Sequence, residues 1–156
     1  MCKSKLAVKE ELDRMEANDT VEAVTKPTEW CAPMVPVPKK NEKTCICLDL
    51  KRLNKAVKRE RFMLPTSEEM MTKLSGSTVF SSLDAASGFW QIPLDKESQR
   101  LTTFITPYGR YCFKRLPFGF TSAPEIFQRK MVETLEGLEE VAVYMDDIIV
   151  HGKDMK

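Results

Sequence analysis

The segment "VAVYMDDIIV", residues 141–150, sets two adjacent carboxylates, Asp146 and Asp147, inside an apolar run. Valine, tyrosine and isoleucine favour a strand, where an ionised acid is costly unless it is paired or holds a metal. Neighbouring side chains of a regular strand point to opposite faces, so a straight strand would drive one of the two acids into the core. A tight turn at Met145–Asp146 removes that conflict. "VAVY" and "IIVHG" then become the arms of a hairpin with both acids at its tip. Asp84 ends another strand, "VFSSLDA", read as buried, and the small residues "AASG" that follow allow close backbone approach. None of the three acids has a lysine or arginine as its sequence neighbour. Such oxygen donors suit a hard cation such as Mg²⁺. Two of these ions about 3.5–4 Å apart can stabilise an attacking hydroxyl and a leaving pyrophosphate together. A solvated acid pair, with Asp84 capping a helix, is the plainer alternative that the acids alone leave open.

The elements that must carry these acids can be read from pattern. Val8, Leu12 and Met15 fall at i, i+4, i+7 and predict an amphipathic helix over 7–17. Prolines 27, 33, 36 and 38 exclude a helix and suit an edge strand around Met34 to Lys39. "TCICLDL" predicts its partner strand, with "KKNEK" as the turn between them. A short helix is expected over 50–57, then an irregular "KRERFMLP" connection. Thr66-x-x-Glu69 opens a helix over "TSEEMMTKL", and Ser122-x-x-Glu125, Pro124 and Gly137 bound another. A hairpin is expected over about 101–116 around "PYGR". Helices and strands alternate irregularly with at least two hairpins, which predicts an α+β fold.

Composition narrows the class of function. Residues 39–61 hold nine Lys or Arg against Glu42, Asp49 and Glu60, a local +6 in a chain of net charge +1. That segment suits a phosphate backbone. No apolar stretch approaches the roughly 20 residues needed to span a bilayer, and the amino terminus has no apolar signal core. The expected setting is intracellular, without membrane attachment. Five cysteines with no C-x-x-C pair, and a single histidine, His151, argue against structural zinc and for reduced thiols.

Taken together and in order, "PMVPVPKKNEKTCICLDLKRLNKAVKRE", "SSLDAASGFWQIPL", "TTFITPYGRYCFKRLPFGFTSAPEIFQRKM" and "YMDD" resemble the reverse transcriptase (RNA-directed DNA polymerase) of gypsy-type LTR retrotransposons. The likeness runs from about Glu11 to Lys153. It implies a right-hand polymerase: fingers with the start of the palm over 1–83, and a palm core over 84–156 into which the hairpin near 101–116 is inserted. The palm would hold an antiparallel sheet with packed helices. The family continues past "HGKDMK" with a primer grip, thumb and ribonuclease H, so a fragment of a longer polyprotein is expected.

The resemblance also implies roles. Asp84, Asp146 and Asp147 would be the catalytic acids, holding two Mg²⁺ ions (or Mn²⁺) with help from the Ala85 carbonyl. Ala85, Ala86, Ser87 and Gly88 would line the nucleotide site with Phe118, Gly119 and Met145. Phe89 would exclude a ribose 2′-hydroxyl by its bulk. Lys39 would face the triphosphate, and Lys51, Arg52 and Lys55 the template backbone. Partners would be a primed RNA or DNA template and deoxynucleoside triphosphates. The setting would be retroelement particles in the cytoplasm, or the nucleus. Trp90 and Gln128 are read as structural, and His151 as an ordinary residue after the strand.

Three departures matter. Cys45 stands where the family usually has an arginine, and cysteine cannot form a bidentate fork to phosphate. Glu42 replaces a common glycine, and Ala86 a residue that is often polar or basic. They motivate an alternative: a catalytically inactive, nucleic-acid-binding remnant of such an element.

Overall fold

The apolar repeat of the amino-terminal segment is buried as its spacing requires. Helix α1 (Lys3–Ala17) leaves Val8 at 3%, Leu12 at 0% and Met15 at 0% exposure. It starts four residues earlier than the apolar pattern, and Lys5 and Leu6 there are exposed and extend no core-facing repeat. Asp19, at φ +54°, ends the helix, and the Thr20 amide turns back onto the Met15 carbonyl at 2.9 Å. The computed structural model describes residues 3–38 and 44–154. Its chain forms two units, Met1–Lys58 with Phe89–Thr121, and Arg59–Gly88 with Ser122–Lys156.

The first unit is a five-stranded mixed sheet in the order β1-β6-β5-β2-β3. Its strands are β1 (Val21–Ala23), β2 (Ala32–Pro38), β3 (Thr44–Leu48), β5 (Phe104–Thr106) and β6 (Gly109–Phe113). β2 and β3 pair antiparallel from Met34↔Leu48 to Pro38↔Thr44. β5 joins β2 in parallel only at Ala32↔Phe104 and Pro33↔Ile105. Beyond Pro33 the strand has a single neighbour, which is how Pro36 is tolerated inside it. The expected turn "KKNEK", with Lys39 and Glu42, lies outside the described residues. The unit also holds two short helices, α2 (Lys51–Ala56) and α4 (Lys96–Leu101), and most of a 3₁₀ turn over Gly88–Gln91. The core joins Val8, Leu12 and Met15 to Ile46, Leu48, Leu53, Phe104 and Phe113. Of these elements β1 and α4 carry no sequence signal long enough to read. α4 also takes Leu101 from the predicted 101–116 hairpin, which is β5–β6.

The second unit holds α3 (Ser67–Leu74), α5 (Ala123–Thr134) and an antiparallel sheet in the order β4-β8-β7. Its strands are β4 (Val79–Asp84), β7 (Val141–Tyr144) and β8 (Asp147–Gly152). The capping box of α3 forms on both sides: Thr66 Oγ1 accepts from the Glu69 amide, and Glu69 accepts from the Thr66 amide. The box predicted at Ser122 does not. Ser122 is not extended (φ −94°, ψ 6°) and makes no cap. Its hydroxyl instead accepts from the Glu60 amide at 3.0 Å. The irregular segment is tied a second time to α5, where Arg59 reaches Glu125 Oε1 at 2.8 Å.

β4 corrects a second expectation. It is an edge strand, and five of its six residues are exposed. "VFSSL" is apolar at its ends only, and Ser81 and Ser82 mark the edge. His151 lies within β8 rather than after it, buried, with Nδ1 2.8 Å from Ser77 Oγ. Among the described residues no helix is long and apolar enough to cross a membrane.

Deleting a buried methylene cluster is costlier than trimming a rim residue. Leu12→Ala should cost about 2–5 kcal/mol in urea unfolding. Leu6→Ala on the same helix, 49% exposed, should cost less than about 1 kcal/mol.

Candidate active site

The hairpin predicted from two adjacent acids is present. β7 and β8 pair out to Tyr144↔Asp147, which leaves Met145 and Asp146 as a two-residue loop. Met145 takes φ +53°. At this first loop position glycine is ordinarily favoured, and the left-handed region costs another residue about 1–2 kcal/mol. The loop is pinned from two sides. The Ala85 amide donates to the Asp146 carbonyl at 3.0 Å. The Met145 amide donates to Gln128 Oε1 at 2.6 Å.

β4 brings the third acid. Its ladder with β8 runs from Val79↔Gly152 to Asp84↔Asp147. Residues directly opposite in an antiparallel pair share one face of the sheet, so Asp84 and Asp147 stand side by side, both exposed. Asp146 is half-buried, and its Oδ1 is buried without a hydrogen-bond partner. The Asp146 carboxyl is held above its ordinary pKa, first by burial, then by the charges of Asp84 and Asp147. Among the described residues none of the three acids has an ion-pair partner.

Gly88 closes the back of this cluster. A Cβ at this position would stand 2.8 Å from Phe127 Cζ and 3.2 Å from Asp146 Oδ1, so a side chain here would have to displace the Phe127 ring. Between Ala85 and Gly88 the chain turns through Ser87 at φ +53°, with Ala86 and Ser87 exposed.

This donor set fits a hard divalent cation: carboxylate oxygens, one of them buried and unsatisfied, and no ion-pairing Lys or Arg among the described residues. No three Asp, Glu, His or Cys side chains among the described residues converge on one metal-sized point. Mg²⁺ does not require that. It is commonly held by one or two carboxylates and completed by water and substrate phosphates.

The other predicted residues belong to the first unit. Phe89 and Phe118 pack at 5.1 Å between ring centroids, and Trp90 meets Phe118 at 5.7 Å. Gly119, at φ +88°, is held through its carbonyl by Asn54 Nδ2 at 2.9 Å. Asn54 Oδ1 also accepts from the Thr121 amide at 3.0 Å, so one side chain fixes the "LPFGF" loop. Lys51, Arg52 and Lys55 are exposed on α2. The Arg52 guanidinium lies 5.6 Å from the Trp30 ring. Cys45 is half-buried and pairs with Val37 in the β2–β3 ladder. Sequence reasoning missed Asn54, Phe127 and the work of Gln128. Their signals, "LNK" and "IFQ", are ordinary helix composition until the chain is folded.

Residues 37–156 match a family model described as reverse transcriptase (RNA-dependent DNA polymerase). The chain is 46% identical over 104 residues to the enzymatic polyprotein of Figwort mosaic virus (strain DxS), covering 66% of this chain and 16% of that one. It is 38% identical over 133 residues to the retrovirus-related Pol polyprotein from transposon 412 of Drosophila melanogaster, covering 80% and 11%. The solved structure of a foamy viral protease–reverse transcriptase with double-stranded DNA matches 99% of this chain and 27% of its own. That match has a TM-score of 0.85 at 27% identity. The chain therefore spans between 11% and 27% of the length of these relatives.

Raising a carboxyl pKa on folding means that the folded state binds more protons than the unfolded one. Stability from this source is present at low pH and is lost as pH rises through the unfolded and then the folded pKa of Asp146. Asp146→Asn should accordingly raise the melting midpoint at pH 7. Melts repeated at pH 3 should show the gain shrinking toward zero.

Proposed function

The chain belongs to the reverse transcriptase (RNA-dependent DNA polymerase) family, and we propose that it is the catalytic core of a retroelement polymerase. The observation that carries this reading is the cluster of Asp84, Asp146 and Asp147, which lies at one end of a three-stranded sheet and has no ion-pair partner among the described residues. The reaction is attack of a primer 3′-hydroxyl on the α-phosphorus of a deoxynucleoside triphosphate, with release of pyrophosphate. The first unit would be the fingers and the second the palm.

Asp84 and Asp146 would be the main ligands of two Mg²⁺ ions, with Asp147 and the Ala85 carbonyl beside them. When bound, such ions neutralise phosphate charge and favour ionisation of the primer hydroxyl. The chain's own contribution is positioning and a fixed electrostatic field. The turn at Met145 displays Asp146. The ladder Asp84↔Asp147 holds two acids on one face. The absence of a Gly88 side chain leaves Asp146 Oδ1 its space.

Nucleotide recognition falls to Ala85, Ala86, Ser87, Gly88, Phe89, Phe118, Gly119 and Met145, with Lys39 toward the triphosphate. Phe89 would exclude a ribose 2′-hydroxyl. Lys51, Arg52 and Lys55 would contact the template backbone, whether RNA or DNA, without reading sequence. The narrower placement with gypsy-type LTR retrotransposons rests on the motif run from "PMVPVPKK" to "YMDD". The parent would be a polyprotein acting in intracellular retroelement particles.

The decisive experiment joins the chain to a reverse transcriptase thumb, with Cys45→Arg restoring the fork to phosphate. Primer extension on an RNA template should appear with Mg²⁺, and Asp146→Asn should lower it by about 10³-fold or more. Equal extension by the two proteins overturns the assignment. Without Cys45→Arg, the nucleotide KM should rise by about 10-fold or more, the worth of one charge-assisted contact. In the same assay Phe89→Val should narrow the preference for deoxynucleotides over ribonucleotides by at least about 10-fold.

A further inference from the structure

We propose that Gln128 is a positioning residue. By holding Met145 in its left-handed conformation, it sets how tightly Asp84 and Asp146 take a divalent cation. This inference rests on the catalytic reading above and adds a residue that the sequence pattern presents as mere helix packing.

Gln128 lies in the middle of α5 and is 1% exposed. Burying a primary amide so fully is unfavourable unless its donors and acceptor are used. Both ends are used on one hairpin. Nε2 donates to the Val143 carbonyl at 3.0 Å, and Oε1 accepts from the Met145 amide at 2.6 Å. In an extended strand a carbonyl and the amide two residues on face the same side. β7 is an edge strand of its sheet, so among the described residues no strand on its outer side supplies partners for these two groups. Gln128 stands in for a neighbouring strand one residue long, placed where β7 gives way to the turn.

That place is the one where the backbone is least content. Met145 has a side chain and φ +53°, a conformation that glycine adopts freely and other residues resist. Were Met145 to relax to negative φ, the peptide that follows would reorient. That peptide joins Met145 to Asp146, so the relaxation would displace the Asp146 carbonyl, which the Ala85 amide holds at 3.0 Å, and the Asp146 carboxylate with it. The relaxation is opposed because the chain is held on both sides of the rotating bond, at the Met145 amide by Gln128 and at the Asp146 carbonyl by Ala85, so that one of the two hydrogen bonds would have to break. The neighbouring residue of α5 adds a second reference point. Phe127 Cζ packs on Gly88, in the loop that follows Asp84. Consecutive residues of one helix thus touch the loop after Asp84 and the turn that carries Asp146. α5 itself is fixed by Arg59 on Glu125 and by the Glu60 amide on Ser122.

The test uses Mn²⁺ alone, titrated calorimetrically into the full chain. Gln128→Met keeps the volume and removes both hydrogen bonds. It should weaken Asp146-dependent Mn²⁺ binding by about 10-fold, as loss of a ligand-orienting partner commonly does. Gln99→Met is the control. Gln99 is a buried glutamine of the first unit whose Nε2 donates to the Leu94 carbonyl at 2.7 Å, and its loss should leave the affinity within about twofold. Adding Met145→Gly to Gln128→Met should recover at least about threefold, because glycine takes positive φ without help. Packing damage at Gln128 would not respond to that second change. If Gln128→Met does not fold, Gln128→Asn carries the same comparison, since its amide is one methylene short of the turn. Wild-type binding that Gln128→Met or Gln128→Asn leaves unchanged overturns this inference alone. So does a Gln128→Met loss that Met145→Gly fails to repair. Wild-type protein with no Asp146-dependent Mn²⁺ binding overturns the catalytic reading, and this inference with it.

Discussion

Three carboxylates occupy one end of a three-stranded sheet, and no ion pair among the described residues separates them. The second unit is arranged around that repulsion. Asp84 and Asp147 are held side by side by a strand ladder, and Asp146 is raised beside them on a turn. The consequence is visible in the Asp146 carboxyl, which burial and its two acidic neighbours push toward the neutral form. A cluster of this kind is unfavourable for folding by itself. It is retained because backbone hydrogen bonds, which do not depend on charge, fix its geometry.

Those bonds do not come from the sheet alone. β7 and β4 are both edges of their sheet, so the turn and the loop after Asp84 need support from elsewhere. α5 provides it with Phe127 and Gln128, one by close packing and one by paired hydrogen bonds. The helix in turn is tied to the segment that precedes α3. Arg59 pairs with Glu125, and Arg129 pairs with Glu60 at 3.1 Å. One basic charge of the stretch 39–61, that of Arg59, and the acidic charge of Glu60 are therefore paired within the protein, while Lys51, Arg52 and Lys55 are exposed.

The first unit solves a different problem. It builds a core of α1 and a mixed sheet, then uses that core to display loops. Asn54 shows the economy of the arrangement: its side-chain amide bonds Gly119 and Thr121 together, so the loop bearing Phe118 is held by the helix that carries the exposed basic residues. Cys45 sits in the same sheet opposite Val37. A strand accepts cysteine there as readily as arginine, and so the departure from the family pattern leaves the fold intact while changing what the surface offers a phosphate.

Much of this was legible in the sequence, and the reason is local. The turn at Met145–Asp146 follows from period-two patterning, the stop of β4 at Asp84 from an acid after an apolar residue, and the capping box at Thr66 from two side chains three residues apart. α1 and β3 announce themselves by apolar spacing, and α5 by Pro124 at its start and Gly137 beyond its end. Where the reading failed, the cause was a partner far away in the chain. Ser122 looks like a cap, yet its hydroxyl is taken by Glu60. "VFSSLDA" looks buried, yet no second neighbour covers β4. Gln128 looks like one more polar residue on a helix, and only folding across fifteen or more residues sets it under Val143 and Met145. The sequence by itself determined which side chains could bind a cation and that they sit at strand ends, because residue type and short-range periodicity decide both. Only the tertiary structure decided how those acids are held, because a hydrogen bond between a helix and a strand edge leaves no trace in the spacing of either.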